Sequence, residues 1–194
     1  MFYKASVYIS DILEQQNKFN SEDKEIYRFG IQQSLNILLN ILTTVIIGVS
    51  FGMILQSILF LICYMPLRSF CGGYHAKTHI RCYIYSVVMI TCILLFIKLF
   101  AFRMLWYEIS VLISLLIIFL LAPVEDRNKP LNHNEKKAFR RKACFIAFLE
   151  GVIYHISFAV NLTDLCKILS VSLFSLSVLM IIGWFRNYSH KSNQ

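Results

Sequence analysis

Charge is scarce in this sequence. Lys, Arg, Asp and Glu make up 15% of its 194 residues while hydrophobic residues make up 57%, and a soluble domain cannot cover its surface with so few polar side chains. That shortage excludes an ordinary soluble enzyme and points to a polytopic membrane protein. Other things are missing too. Asp11, Glu14, Glu22, Asp23 and Glu25 interrupt every apolar stretch of the first thirty residues, so no cleaved signal peptide is expected and the N-terminus is expected to be retained. There is no internal repeat, no low-complexity tract and no Cys-x2-Cys knuckle of the structural zinc kind. The six cysteines do not form a disulfide framework: Cys63, Cys92, Cys144 and Cys166 lie in or beside apolar runs, where a thiol packs as a small hydrophobe.

What is present is a series of apolar runs near the length a bilayer demands, about 20 residues per helix. They fall at 31–48, 52–66, 83–101, 106–122, 144–161 and 166–185. The expected fold is all-α, with six transmembrane helices and an amphipathic surface helix before them. Residues 35–65 would also suit one long tilted helix, the alternative being a hairpin turning at Gly48 to Gly52. The distribution of cations decides. With the hairpin, Lys98, Arg103 and Lys167 alone fall outside and every other Lys and Arg is cytoplasmic, a strong positive-inside bias. A single long helix puts most cations outside. Six spans then leave both termini in the cytoplasm of a multi-pass cell-membrane protein. The net charge of +8 follows from this topology and from anionic lipid; no nucleic-acid partner is expected, because no folded basic domain exists to grip a duplex.

One membrane-embedded domain over 1–194 is expected, with a surface-helix region at 1–30, a connecting loop at 66–82 and a basic loop at 123–143. Within 5–19, Tyr8, Ile12, Leu13 and Phe19 gather near one helical face, suited to the inner membrane surface. Ser21 with Glu22 and Asp23 reads as the N-cap of the helix that becomes span one. Gln33, Asn36, Asn40 and Thr44 recur along that span, as interhelical hydrogen-bonding groups or as a polar lining. Glu150 is an ionisable group in an apolar run, either a functional residue or a partner of Lys142 or Arg141. Ser170 and Ser177 are expected to be small packing residues.

The chemistry concentrates at one bend. Pro66 is expected to end span two, Gly72 and Gly73 permit sharp turns, and the next helix is expected near Arg81 to Tyr83, leaving Cys71, His75, His79 and Cys82 on a short loop. Those four are a possible zinc ligand set; the histidines and cations are otherwise headgroup-solvating; or Cys82 is a nucleophile. At the start of a helix entering the membrane, beside Lys77 and Arg81, its thiolate would be favoured. On one straight helix His75 and Cys82 would stand about 10.5 Å apart, too far for a hydrogen bond, so His75 serves only if the glycine loop folds back. His79, three residues from Cys82, is the simpler helical partner. The residues alone leave the two histidines undecided.

The run from Arg68 to Tyr83, RSFCGGYHAKTHIRCY, resembles the signature of the accessory gene regulator protein B family, membrane endopeptidases of Gram-positive quorum sensing. Its Arg, Gly-x-His and downstream Cys fall on Arg68, Gly73, His75 and Cys82, and the proline-bounded Asn-Lys-Pro loop before a basic stretch falls on 123–130. The resemblance implies that His75 and Cys82 are the catalytic pair, with Arg68 and Gly73 as supporting motif positions. It implies an AgrD-type propeptide as substrate, cut through an acyl-enzyme thioester and cyclised to a thiolactone or lactone. It also implies no metal or other cofactor and a homodimer, while the six-span topology puts this stretch on the cytoplasmic side. Lys136, Lys137, Arg140, Arg141 and Lys142 are either an orientation signal alone or, as one stripe on a helix extending span five, candidates for docking an acidic propeptide tail. The alternative of another class is a small transporter whose Cys/His loop gates or binds metal.

Overall fold

The computed structural model describes residues 3–15, 24–74, 78–100, 103–125 and 131–191. Among them the chain is helical throughout: α1 (Tyr3–Gln15), α2 (Lys24–Phe51), α3 (Ile54–Cys71), α4 (His79–Leu99), α5 (Met104–Leu121), α6 (His133–Ala159) and α7 (Thr163–Lys191). There is no strand among the described residues, only an isolated parallel bridge between Gly72 and Val124. Helices α2 to α7 are long and apolar enough to cross a membrane, as the six apolar runs predict. This is a multi-pass membrane protein. Its chain divides into two compact units, Met1–Ile47 with Ala76–Thr91, and Gly48–His75 with Cys92–Gln194.

In the first unit, α1 turns Tyr8 and Ile12 outward and buries Ser6 and Ser10, whose hydroxyls each donate to the carbonyl three residues back, to Tyr3 and Val7, at 2.8 Å. The apolar outer face suits a membrane interface. Asp11 and Glu14 both reach Lys24 at the start of α2, at 2.9 and 2.6 Å. Phe19, Lys18 and the expected N-cap at Ser21 lie outside the described residues. Along α2, Asn36 and Asn40 donate to carbonyls one turn back, at 2.9 and 3.0 Å. Thr43 reaches from α2 to α4, its hydroxyl standing 2.9 Å from that of Tyr83.

In the second unit α7 is the central helix, packed against α3, α5 and α6. Small side chains allow the approach, as in membrane bundles generally. Ser110 and Ser114 of α5 meet Ser170 and Ser177 of α7 hydroxyl to hydroxyl, at 2.5 and 3.3 Å, so Ser170 and Ser177 bond across the interface as well as pack. The expected hairpin is present: Gly52 turns at φ +68°, Met53 donates to the Gly48 carbonyl at 2.7 Å, and Lys98 donates to the freed carbonyl of Phe51 at 2.9 Å. Helix α6 closes with a Schellman turn, Asn161 at φ +59° and Leu162 donating to Ser157 at 2.8 Å.

Three boundaries differ from those expected. Pro66 does not end its span; it sits inside α3, which continues to Cys71. Proline removes one intrahelical bond, whereas ending the helix there would leave several backbone groups to satisfy in hydrocarbon, the costlier choice. Helix α4 begins at His79, so Cys71 and His79 close and open helices instead of lying on a loop. Helix α6 starts at His133 rather than near 144, so most of the basic segment is helical. A capping box explains the early start, Asn132 donating its N–H to the Glu135 carboxylate at 2.9 Å.

Candidate active site

The residues that lead into His75 belong to the second unit and are fixed by backbone bonds. After Cys71, itself fully buried, the chain passes through Gly72 at φ +70° and Gly73 at φ +117°, a region that side chains other than glycine adopt only with strain. This path lays residues 71–73 beside Val124. The Val124 N–H donates to Cys71 at 2.8 Å, and the Gly73 N–H donates to Val124 at 3.3 Å. A side chain on Gly72 would collide with the Val124 carbonyl.

Arg68 supplies the second restraint. Its guanidinium donates to the Gly72 carbonyl through Nη1 and to the Tyr74 carbonyl through Nη2, the latter at 2.6 Å. A planar fork suits two acceptors held in fixed positions. A Cβ on Gly73 would stand 2.6 Å from that guanidinium. Arg68 and Gly73, the two supporting positions of the sequence motif, therefore act together: one residue clamps the backbone and the other leaves room for the clamp.

Helix α7 supplies the third restraint, which sequence reasoning missed. The Tyr74 N–H donates to the carbonyl of Leu179 at 3.0 Å, and the Arg186 guanidinium lies 5.1 Å from the centre of the Tyr74 ring, within cation–π range. Asn187 donates to the Glu125 carbonyl at 2.9 Å, and the Glu125 carboxylate takes Lys136 of α6 at 2.7 Å. The 71–74 and 122–125 segments are thus tied to each other and to α7. His75 and Lys77 lie outside the described residues, one and three positions beyond Tyr74.

Cys82 belongs to the first unit. It stands in the first turn of α4, as expected, its N–H donating to Thr78 at 3.0 Å. The Thr78 hydroxyl accepts from the Arg81 N–H at 3.4 Å, and Cys82 is partly exposed. Its neighbour Tyr83 is the residue held by Thr43. The turn that presents the thiol is thereby anchored to α2.

The basic cluster of α6 does not act as one free stripe. Lys136 is paired with Glu125, Arg140 donates to the Phe119 carbonyl at the end of α5 at 3.2 Å, and Lys142 lies over the Phe70 ring at 5.1 Å. Lys137 and Arg141 are exposed. Glu150 does not pair with Lys142 or Arg141: it is 5% exposed, makes no ion pair among the described residues, and its Oε2 has no hydrogen-bond partner there. The side-chain contact of that region is one that sequence reasoning missed, His155 Nε2 of α6 at 3.1 Å from the Glu108 carboxylate of α5. Its signal was two titratable residues in facing apolar runs.

Comparison with known proteins shows the family of this chain. The profile of the family described as Accessory gene regulator B matches residues 6–188. A protein named as AgrB-like from Clostridium perfringens (strain SM101 / Type A) is 28% identical over 170 residues, covering 80% of this chain and 79% of the relative. A second AgrB-like protein, from Clostridium perfringens (strain 13 / Type A), is 27% identical over the same length with the same coverage. No solved structure matches the chain. With a family profile spanning nearly all of its length, the chain belongs to the accessory gene regulator B family.

Proposed function

We propose that this multi-pass membrane protein of the accessory gene regulator system is a cysteine endopeptidase acting on an AgrD-type propeptide, with Cys82 as nucleophile and His75 as its base. The observation that carries the reading is the clamp on residues 72–74. Two positive-φ glycines, the Arg68 fork and an α7 carbonyl converge on the backbone one residue before His75. Such an investment suits a residue whose position matters to a reaction; a loop that merely solvates headgroups needs none of it.

The chemistry runs in two transfers. His75 takes the Cys82 proton, the thiolate adds to the scissile carbonyl, and the C–N bond breaks as the departing amine takes that proton. The N-terminal fragment remains on Cys82 as a thioester. A cysteine thiol or serine hydroxyl within that fragment then gives its proton to His75 and attacks the thioester carbonyl, closing a thiolactone or lactone as the C–S bond to Cys82 breaks and the Cys82 sulfur takes that proton. Exchanging one thioester for another costs little, and a membrane-edge site that limits water favours ring closure over hydrolysis. The active site faces the cytoplasm in this reading.

The test is co-expression with a short propeptide encoded beside this chain, with the membranes quenched in acid. A hydroxylamine-labile adduct of the N-terminal propeptide fragment on Cys82 is the expected result. Cleavage that proceeds in Cys82→Ser without any thiol-linked adduct overturns it. The transporter alternative instead predicts peptide movement with no cleavage at all.

A further inference from the structure

An open apolar groove of about 460 Å³ runs between α5 and α6, lined in part by Leu115, Phe119, Phe148, Val152, His155 and Ala159. The polar side chain in this lining is already engaged: His155 pairs with Glu108 at 3.1 Å and its Nδ1 lies 2.8 Å from the Gly151 carbonyl. The groove therefore offers its occupant only apolar contact. It opens on a flank where Leu112, Leu116, Leu120 and Phe145 are exposed, as expected of a face bathed in hydrocarbon.

One end of the groove is different. At 100° per residue, Lys137, Arg141, Phe148, His155 and Ala159 fall within an arc of about 40° on α6, so the groove face continues toward the helix start as two cations. Lys137 and Arg141 are exposed and have no hydrogen-bond or ion-pair partner among the described residues, whereas Lys136, Arg140 and Lys142 are engaged within the protein. Arg140 brings a third cation to the same end, because the carbonyl it holds belongs to Phe119 of the groove lining. Seven residues separate Arg141 from Phe148, about 10 Å of helix, which leaves room for a glycerol backbone between a headgroup and its chain.

We infer that this groove binds one anionic phospholipid, its acyl chain lying between α5 and α6 and its phosphate held by Lys137 and Arg141. The charge of the rim and the apolarity of the floor match the two halves of that molecule and no other occupant as well. A second transmembrane helix packs on exposed small residues, but of the small residues in this lining Gly151 is already covered by Leu115, and Phe119 and Phe148 flank the groove. An acidic peptide would satisfy the cations and leave the apolar floor uncovered. The exposed cations so serve the membrane, and the acidic-tail docking expected of this cluster becomes the competing outcome.

The intact chain, reconstituted in phosphatidylcholine vesicles with a trace of chain-labelled phosphatidylglycerol, tests this by electron spin resonance. The expected result is a motionally restricted component that unlabelled phosphatidylglycerol, titrated in, displaces with a stoichiometry of one per chain. Each cation near an anionic headgroup is worth roughly fivefold in affinity, so Lys137→Gln with Arg141→Gln weakens the component by about 25-fold. Val152→Trp, which fills the groove and spares both cations, also removes it. Equal restriction of labelled phosphatidylcholine overturns the inference. So does survival of the component in either variant, or its displacement by a soluble acidic peptide, which would assign Lys137 and Arg141 to substrate docking.

Discussion

Gly183 and Tyr74 meet backbone to backbone: a Cβ on Gly183 would lie 2.7 Å from the Tyr74 nitrogen and 2.8 Å from the Gly73 carbonyl carbon. The hydrogen bond from Tyr74 to Leu179, one turn earlier in α7, depends on that contact. Gly183→Ala is therefore expected to push the loop off the helix, costing about 1–3 kcal/mol of overpacking and lowering propeptide cleavage by tenfold or more while leaving membrane insertion intact. Gly30→Ala is the control, since nothing lies within 4 Å of a Cβ there. Quantitative cleavage assays on membranes with matched protein levels distinguish the two, and equal activity in both variants removes the α7 contact from the site.

Arg68 is expected to act by position. A lysine keeps the charge but cannot reach the Gly72 and Tyr74 carbonyls together, as the guanidinium does. One lost charged hydrogen bond is worth about 1.5–3 kcal/mol, so Arg68→Lys should lower kcat by roughly 10- to 100-fold with KM little changed. Arg68→Gln should be no better. A rise in KM at constant kcat would instead place Arg68 on the substrate.

Two cysteines separate chemistry from packing. Cys82→Ala is expected to abolish cleavage with normal insertion, because the thiol itself is the proposed nucleophile. Cys71 is fully buried at the end of α3. A hydroxyl there would cost about 1–3 kcal/mol, so Cys71→Ser should melt earlier yet retain substantial cleavage. Equal loss of activity in both, with zinc found in the purified protein, would support a metal site instead.

The two histidines are separable in the same assay. His75→Ala should eliminate cleavage and His79→Ala should be much milder. His79 opens α4, three residues before Cys82, and on helical spacing alone it is the nearer partner. A dead His79→Ala variant beside an active His75→Ala variant would hand the base to His79.

Hydropathy made the six spans legible because twenty-residue apolar runs have few other uses. The hairpin was legible because Gly52 and the cation distribution agree. Pro66 was misread by a rule made for water, where a helix can end without penalty. The start of α6 was misread because a run of cations looks like a loop, although Asn132 and Glu135 carried the capping signal. At the bend, Arg68, Gly73, His75 and Cys82 were visible as residue types. The partners Val124 and Leu179 were not, since they contribute only backbone atoms, and backbone bonds leave no mark on composition. Gly183 was the available hint, the single glycine of α7.

Arg186 and Asn187 occupy the last turns of α7, yet they touch Tyr74 and Glu125, residues more than sixty positions upstream. A reporter fused in place of everything after residue 185 would keep most of the final span and so report correct topology. It would nonetheless sever both ties at once, so a topology fusion cut there is a poor guide to an active chain. Reporters for this protein belong beyond Lys191, after the last described turn of α7.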